Sequence, residues 1–297
     1  MSHMKANFLM LIASFIWGTA FVSQTTGMGS IGPFTFSFVR FLLAMFTVLP
    51  LALLFEKNNL PFFFKNKNYI YLSLFAGLAL FGGMGLQQYA LLKSQIANTA
   101  FLSTLYVPFV SLISRFIFRS RLHWIIWIAV LLCVYGSYLL SSNQTIEVQK
   151  SDSLLFIAAV CFAIHIILID IFMKQFYSPF TFGFIQYAIV FLCSLIFALS
   201  LENPTIANIK IEWFELVYTG VFSAGIGYTL QIIAQSKASP APAAIILSME
   251  SVFGTLAGWI LLNQILDANK ILGCLAIFMG VIIVQLVPVY TKNKQYE

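Results

Sequence analysis

Pro33-Phe34-Thr35-Phe36-Ser37-Phe38 and Pro179-Phe180-Thr181-Phe182-Gly183-Phe184 are two copies of one pattern, 146 residues apart and identical at five of six positions. At an offset of 144, Leu86-Gln87 recurs as Leu230-Gln231, and further matches follow in order at Ala90, Lys93, Ala97, Ala100, Phe109, Leu112, Leu122, Leu131 and Gly136. Chance similarity between apolar segments does not produce such an ordered series. The chain is therefore predicted to contain two related halves, residues 5–145 and 146–291, followed by a tail of residues 292–297.

The composition is that of a protein whose main solvent is lipid. Only 9% of the 297 residues are charged and 60% are hydrophobic, whereas about 25% of the residues of a soluble domain are charged. The mean hydropathy is +0.92. The sequence predicts an all-α integral membrane protein.

The charged residues, the cysteines and the absence of known motifs argue against several other classes of protein. The net charge of +6 comes from basic residues spread over short loops, without the basic stripe of a nucleic-acid-binding surface. The four cysteines stand alone in apolar runs, so no disulfide framework or metal site is predicted. No Walker loop, GxSxG or HExxH motif occurs, so the protein is not expected to be an enzyme or to hold a cofactor.

Ten segments are long and apolar enough to cross a membrane. A helix needs about 20 mostly apolar residues to cross the hydrocarbon core, and we cut the chain at charged, polar and Gly/Pro positions. Met1-Ser2-His3 ahead of a second Met resembles a tag remnant, so residues 1–4 are left out. The predicted spans 1 to 10 cover residues 7–26, 34–55, 69–91, 97–116, 122–141, 153–173, 180–201, 213–234, 241–262 and 268–288.

The loops divide their Lys and Arg unequally. Ten spans place both termini on one side of the membrane, and eleven basic residues lie on that side against four on the other. The sixteenth, Arg40, lies within span 2. By the positive-inside rule, both termini are predicted to be cytoplasmic in a multi-pass protein of the inner (plasma) membrane.

The number of spans in each half determines how the halves are related. Because five is an odd number, the second half enters the membrane in the opposite sense to the first. The halves are therefore predicted to be inverted repeats. Such repeats place a binding site near the midplane between them and expose it alternately to each side.

Three stretches of the sequence resemble the EamA-like branch of the drug/metabolite transporter superfamily. They are Phe15-Ile16-Trp17-Gly18-Thr19-Ala20-Phe21 in span 1, Pro33 with Phe38-Val39-Arg40-Phe41 in span 2, and Glu250-Ser251-Val252-Phe253-Gly254 in span 9, where Ser251 replaces the usual Pro. The resemblance covers nearly the whole chain. It implies a ten-helix fold and a substrate such as an amino acid or another exported metabolite.

Glu250 is the most central acidic residue of any span. An ionised side chain at that depth is costly unless it faces a cavity or a partner. One interpretation is a carboxylate that exchanges a proton or binds an amine of the substrate. The alternative is a structural group that hydrogen-bonds to Tyr106, its counterpart at the offset of 144.

Other polar side chains in the spans are candidates for the same site. Amides and hydroxyls at membrane depth either line a cavity or bond neighbouring helices. Arg40 is expected to snorkel or to pair within the bundle. With Glu250 and Tyr106, the predicted substrate-binding residues are Trp17, Gln87, Gln88, His165, Tyr228 and Gln231.

These features favour a secondary transporter that moves a small metabolite, such as an amino acid, outward by alternating access. A passive channel is the main alternative, because pores also have polar linings. An intramembrane enzyme is less well supported, since no catalytic motif occurs. The sequence leaves open whether protons are coupled to transport and whether the protein is a monomer or a homodimer.

The charge distribution gives a testable orientation. A cysteine introduced at Gln295 should resist a membrane-impermeant maleimide in intact cells and should react once the cells are permeabilised. A cysteine introduced at Asn143, in the loop predicted to lie outside, should react in intact cells. Labelling of the Gln295→Cys variant from outside would contradict the predicted orientation.

Overall fold

The computed structural model describes residues 1–57, 65–92, 96–141 and 150–293, and all regular elements in these ranges are helices. Seven of the ten spans are continuous helices: span 1 (His3–Thr26), span 2 (Pro33–Phe55), span 3 (Lys67–Leu91), span 5 (Trp124–Ser141), span 6 (Lys150–Gln175), span 7 (Pro179–Leu201) and span 10 (Ala268–Asn293).

The other three spans are built from shorter pieces. Span 4 consists of Ile96–Thr104 and Tyr106–Phe116, and span 9 of Pro240–Leu247 and Met249–Leu262. In span 8 a π-helix, Tyr218–Gly227, lies between Trp213–Val217 and Tyr228–Gln235. A short helix, Ile206–Ile211, precedes span 8.

The predicted all-α membrane fold with two repeats is confirmed. Within the described residues, nine helices are long and apolar enough to cross a membrane, and span 4 contributes the shorter apolar helix Phe101–Phe116. Helix 1 begins at His3, within the four residues predicted to be a tag remnant. The predicted junction of the halves at residues 145 and 146, Lys93 and the tail residues 294–297 lie outside the described residues.

The two halves are interleaved. Span 2 packs on span 7 and span 5 on span 10, so corresponding spans of the two halves contact each other. Span 1 packs on spans 8 and 9, as span 6 packs on spans 3 and 4. Likewise, span 2 contacts span 8, and the corresponding spans of the other halves, 7 and 3, contact each other.

Contacts between repeat-related residues locate the axis of this symmetry. A two-fold axis exchanges corresponding residues of the two halves. When two corresponding residues contact each other, their contact must therefore lie on or near the axis. The Tyr228 hydroxyl donates a hydrogen bond to the Met84 sulfur at 2.9 Å, and these residues correspond at the offset of 144. The rings of Phe41 and Tyr187, which correspond at the offset of 146, have centroids 6.0 Å apart.

Two glutamates cap spans 2 and 7 reciprocally. The Glu202 carboxylate, just after span 7, accepts hydrogen bonds from the backbone N–H groups of Phe34 and Thr35 at 2.8 and 2.7 Å. The Glu56 carboxylate, just after span 2, accepts from the N–H groups of Phe180 and Thr181 at 3.0 and 2.7 Å. The end of each helix therefore lies beside the start of the other, and the two spans run antiparallel.

Helix starts carry unpaired N–H groups and a partial positive charge, so a carboxylate is the group best suited to cap them. The first cap also requires a glycine. A Cβ atom at Gly32 would overlap with the Glu202 carboxyl group. At the corresponding position of the second half, the Ser178 hydroxyl contacts the Tyr69 hydroxyl at 3.0 Å. The repeated Pro-Phe-Thr-Phe pattern thus marks the capped starts of two antiparallel helices.

Removal of either cap should destabilise the protein. We expect Glu202→Ala and Glu56→Ala each to lower the free energy of unfolding by about 1–2 kcal/mol, because two N–H groups and a helix start lose their charged acceptor. The melting temperature of the purified protein in detergent measures the loss. Because the caps lie at opposite ends of the helix pair, the losses should add in the double variant.

Glu215→Ala is the matched control, since the Glu215 carboxylate makes no hydrogen bond to another described residue. Equal melting temperatures for Glu202→Ala and this control would show that the cap contributes nothing.

Candidate functional site

A cavity lies between the two halves, around the contact between Met84 and Tyr228. Spans 1, 2, 3, 4, 6, 8 and 9 line it. Its free volume is about 50 Å³, which holds a few water molecules rather than an amino acid. The lining residues are Trp17, Phe21, Gln24, Arg40, Met84, Gln87, Tyr106, Phe162, His165, Ile166, Ser223, Tyr228, Gln231, Leu247 and Glu250.

Seven of the eight predicted substrate-binding residues line this one cavity: Trp17, Gln87, Tyr106, His165, Tyr228, Gln231 and Glu250. Gln88 does not. Its amide nitrogen donates to the Gln24 carbonyl at 3.4 Å and to the Met28 sulfur at 3.0 Å. Gln88 follows Gln87 directly in the helix and so faces another side, towards the end of span 1. That the seven bind a substrate stays a prediction.

Breaks in spans 4 and 9 position Tyr106 and Glu250. Leu105 and Ser248 interrupt the two spans at nearly equivalent positions of the repeats. Tyr106 begins the second piece of span 4, and Glu250 lies in the first turn of the second piece of span 9. The N-terminal end of a helix carries a partial positive charge. The break therefore gives the Glu250 carboxylate a favourable electrostatic position at membrane depth.

The Tyr106 hydroxyl and the Glu250 carboxylate face each other without a hydrogen bond of good geometry. Tyr106 is buried, and its hydroxyl has no hydrogen-bond partner in the described structure. Glu250 is partly exposed, and the space it borders is the cavity. The two side chains interact electrostatically, which fits the structural pair considered from the sequence. The Tyr106 hydroxyl that is left without a well-formed bond fits a ligand or water equally well.

Further polar atoms around the cavity are only partly satisfied. The Gln87 amide donates to the Ser103 hydroxyl at 2.8 Å. The Gln231 side-chain amide nitrogen donates to Gln235 Oε1 at 3.0 Å, while Gln231 Oε1 is buried without a partner among the described residues. His165 Nε2 contacts Gln186 Oε1 at 2.6 Å. The site thus combines fixed donors with unpaired acceptors.

The π-helix of span 8 supplies backbone acceptors to the site. Trp17 Nε1 donates to the Ser223 carbonyl at 3.0 Å, and Arg40 Nε donates to the Thr219 carbonyl at 3.3 Å. Trp17 also packs on Tyr228, with ring centroids 4.7 Å apart. A π-helix bonds residues five apart and is frequent at functional sites.

Close helix crossings hold Trp17 in place. A Cβ atom at Gly18 would lie 2.5 Å from the Phe253 Cβ atom, so span 1 crosses span 9 with almost no space between their backbones. A Cβ atom at Gly227 would lie 2.6 Å from Trp17 Nε1. Small residues permit such approaches between membrane helices. The crossing explains why a glycine follows Trp17.

Of the two roles that the sequence left open for Arg40, snorkelling and pairing within the bundle, the structure shows the second. Arg40 is only 2% exposed, and it lines the cavity. Its Nη1 atom donates to the Gln24 side chain at 3.0 Å and its Nη2 atom to the Ser223 hydroxyl at 2.8 Å. Packing against spans 1 and 8 prevents the side chain from reaching either surface.

Some residues of the site were missed by the sequence reasoning. Gln24 and Ser223 lie near span ends or among small residues, and their sequence surroundings give no signal of a shared cavity. The capping glutamates did have a signal, because Glu56 and Glu202 are 146 residues apart, the same offset as the Pro-Phe-Thr-Phe pattern.

The described residues contain no group of three His, Cys, Asp or Glu side chains suited to a metal ion.

Comparison with known proteins agrees with this architecture. The model of the EamA-like transporter family matches twice, over residues 4–142 and 149–286. The chain belongs to the EamA-like transporter family. The family model thus matches the chain twice in succession, and the EamA-like chain is accordingly a multi-pass membrane transporter.

Relatives of this EamA-like protein match over nearly its whole length. An uncharacterised transporter of Archaeoglobus fulgidus is 27% identical, covering 96% of this chain and 87% of the relative. An uncharacterised transporter of Clostridium kluyveri is 20% identical, covering 98% of this chain and 94% of the relative. A solved crystal structure, 17% identical, superposes with a TM-score of 0.80 over 96% of this chain and 98% of the other, which supports the fold.

The close approach at Gly227 can be tested directly. Gly227→Ala should displace Trp17 and break its hydrogen bond to the Ser223 carbonyl, which we expect to destabilise the protein by about 1–3 kcal/mol. Thermal unfolding in detergent measures the loss. Gly85→Ala is the control, because its Cβ atom would meet its nearest neighbours at 3.6 Å, an ordinary contact. Equal stability of the two variants would contradict the packing described for Trp17.

Proposed function

We propose that this EamA-like protein is a secondary transporter that moves a small metabolite, an amino acid or a related compound, by alternating access. The observation that carries the proposal is the Glu250 carboxylate, which borders the cavity at the start of a half-helix and makes no ion pair with another described residue. A carboxylate in this position can bind an ammonium group or accept a proton.

The surroundings of Glu250 suit an amine-bearing solute. The Tyr106 hydroxyl beside Glu250 and the unpaired side-chain amide oxygen of Gln231 can both accept hydrogen bonds from an ammonium group. Trp17, Phe162 and Tyr228 add aromatic surface for the apolar part of the solute. An ammonium group near aromatic faces gains a further favourable electrostatic interaction.

The size of the cavity favours a carrier over an open channel. A free volume of about 50 Å³ is too small for an amino acid, so the helices around the site must separate before a solute can enter. In a protein built from inverted repeats, the helices can separate in two related ways, and each way opens the site to one side of the membrane. A channel would instead offer a continuous path.

Two further features of the proposal come from the sequence. The excess of basic residues on the side of the termini supports cytoplasmic termini and insertion in the inner (plasma) membrane. The resemblance to metabolite exporters supports outward movement of the solute.

Counterflow in proteoliposomes tests the proposed function. Purified protein is reconstituted with each unlabelled L-amino acid inside, and uptake of the same labelled amino acid from outside is measured. A carrier should transiently accumulate the label and saturate with concentration. Absence of counterflow for every amino acid would overturn the proposed substrate class, and unitary currents would support a channel.

The substitution Glu250→Gln should abolish most of this counterflow. It preserves the shape of the side chain but removes its charge, so a purely structural group should tolerate it. We expect a loss of at least about tenfold in rate with an unchanged elution profile in size exclusion. Glu215→Gln, outside the cavity, serves as the matched control. If Glu250→Gln transports at the parental rate and with the parental pH dependence, Glu250 has only a packing role.

A further inference from the structure

Arg40 is the one Lys or Arg side chain among the residues that line the cavity. It is buried, and the ion pair found in the described part of the chain, Lys174 with Asp170, does not involve it. A buried charge without a counter-charge is unfavourable, and the cost is offset only by an opposite charge or a full set of hydrogen bonds. Arg40 has no opposite charge beside it among the described residues, and its set of hydrogen bonds is incomplete.

The hydrogen bonds of the guanidinium group leave donors available. A guanidinium carries five N–H groups. Three are used, by the Thr219 carbonyl at 3.3 Å, the Gln24 amide oxygen at 3.0 Å and the Ser223 hydroxyl at 2.8 Å. One N–H remains on each terminal nitrogen. Donors on two nitrogens of one guanidinium group are the groups that bind the two oxygens of a carboxylate.

A structural role alone does not require the charge. The residue that corresponds to Arg40 in the second half, at the offset of 146, is Gln186. Gln186 connects spans 6 and 7 through its contact with His165, and it does so without a charge. The charge of Arg40 is therefore an addition to the helix connection, and it occurs in only one half.

The two charged groups of the cavity are separated. Arg40 and Glu250 do not approach within 4.0 Å of each other, and Tyr228 interacts electrostatically with both. An α-amino acid carries an ammonium group and a carboxylate that could occupy the two ends of such a site.

We propose that Arg40 binds the carboxylate of the transported solute and restricts the substrates to molecules that carry one. This inference rests on the proposed transport function and deepens it, because it assigns the second charged end of the substrate. Glu250 selects the ammonium group, and Arg40 excludes amines that lack the carboxylate.

Two pools of compounds test this assignment in the wild-type protein. One is an equimolar mixture of L-amino acids, and the other contains the corresponding amino-acid amides, which keep the ammonium group but lack the carboxylate. The melting temperature of the purified protein is followed as each pool is titrated. We expect the amides to require roughly tenfold to a hundredfold higher concentrations for the same stabilisation.

The outcomes separate the two proposals. Equal stabilisation by the two pools would overturn the role of Arg40 while leaving transport of an amine-bearing solute intact. Stabilisation by neither pool would overturn both the role of Arg40 and the proposed substrate class.

Variants at Arg40 provide the second measurement. Arg40→Gln reproduces the residue of the other half, and Arg40→Lys keeps the charge but loses the fork of donors. Both should weaken the response to the amino-acid pool and leave the response to the amide pool unchanged. Arg115→Gln, an exposed arginine at the end of span 4, is the matched control. A parallel loss of both responses would indicate that Arg40 only holds the helices together.

Discussion

The reciprocal capping of spans 2 and 7 is the interaction on which the rest of the structure depends. The residues at the two helix starts are buried, with Thr35 1% and Thr181 3% exposed, so their free N–H groups must be satisfied within the protein. Glu56 and Glu202 meet this need across the boundary between the halves. Each half therefore completes a helix of the other. The antiparallel pairing places the symmetry axis between the halves, and the cavity lies along that axis.

The charges of the cavity occur where the two halves differ. Arg40 corresponds to Gln186, and Glu250 corresponds to Tyr106, so each pair contains one charged and one neutral member. A perfectly symmetric chain would carry like charges twice in a small space, which is unfavourable. The internal repeat thus provides the architecture, whereas the departures from it provide the chemistry.

Much of the fold could be predicted because it depends on the lengths of apolar runs and on one repeated pattern. Span 7, for example, was predicted at 180–201 and is found at Pro179–Leu201. Seven cavity residues were predicted because polar side chains in apolar runs are conspicuous. The break at Ser248 could not be predicted, since its residues suit a continuous helix, whereas Pro108 shortly after Leu105 is a signal for the other break. The burial of Arg40 depends on contacts with spans 1 and 8, which the order of residues does not reveal.

The π-helix of span 8 changes what the internal repeat means for individual side chains. A turn closed by bonds between residues five apart holds more residues than an α-helical turn, so it rotates the side chains that follow relative to those that precede it. The corresponding stretch of span 3 is α-helical throughout. Gln87 and Gln231 are equivalent in sequence, yet they bond different partners, Ser103 and Gln235. Exchanging the two halves therefore does not superpose the side chains of span 8 on those of span 3 unless the rotation introduced by the π-helix is corrected.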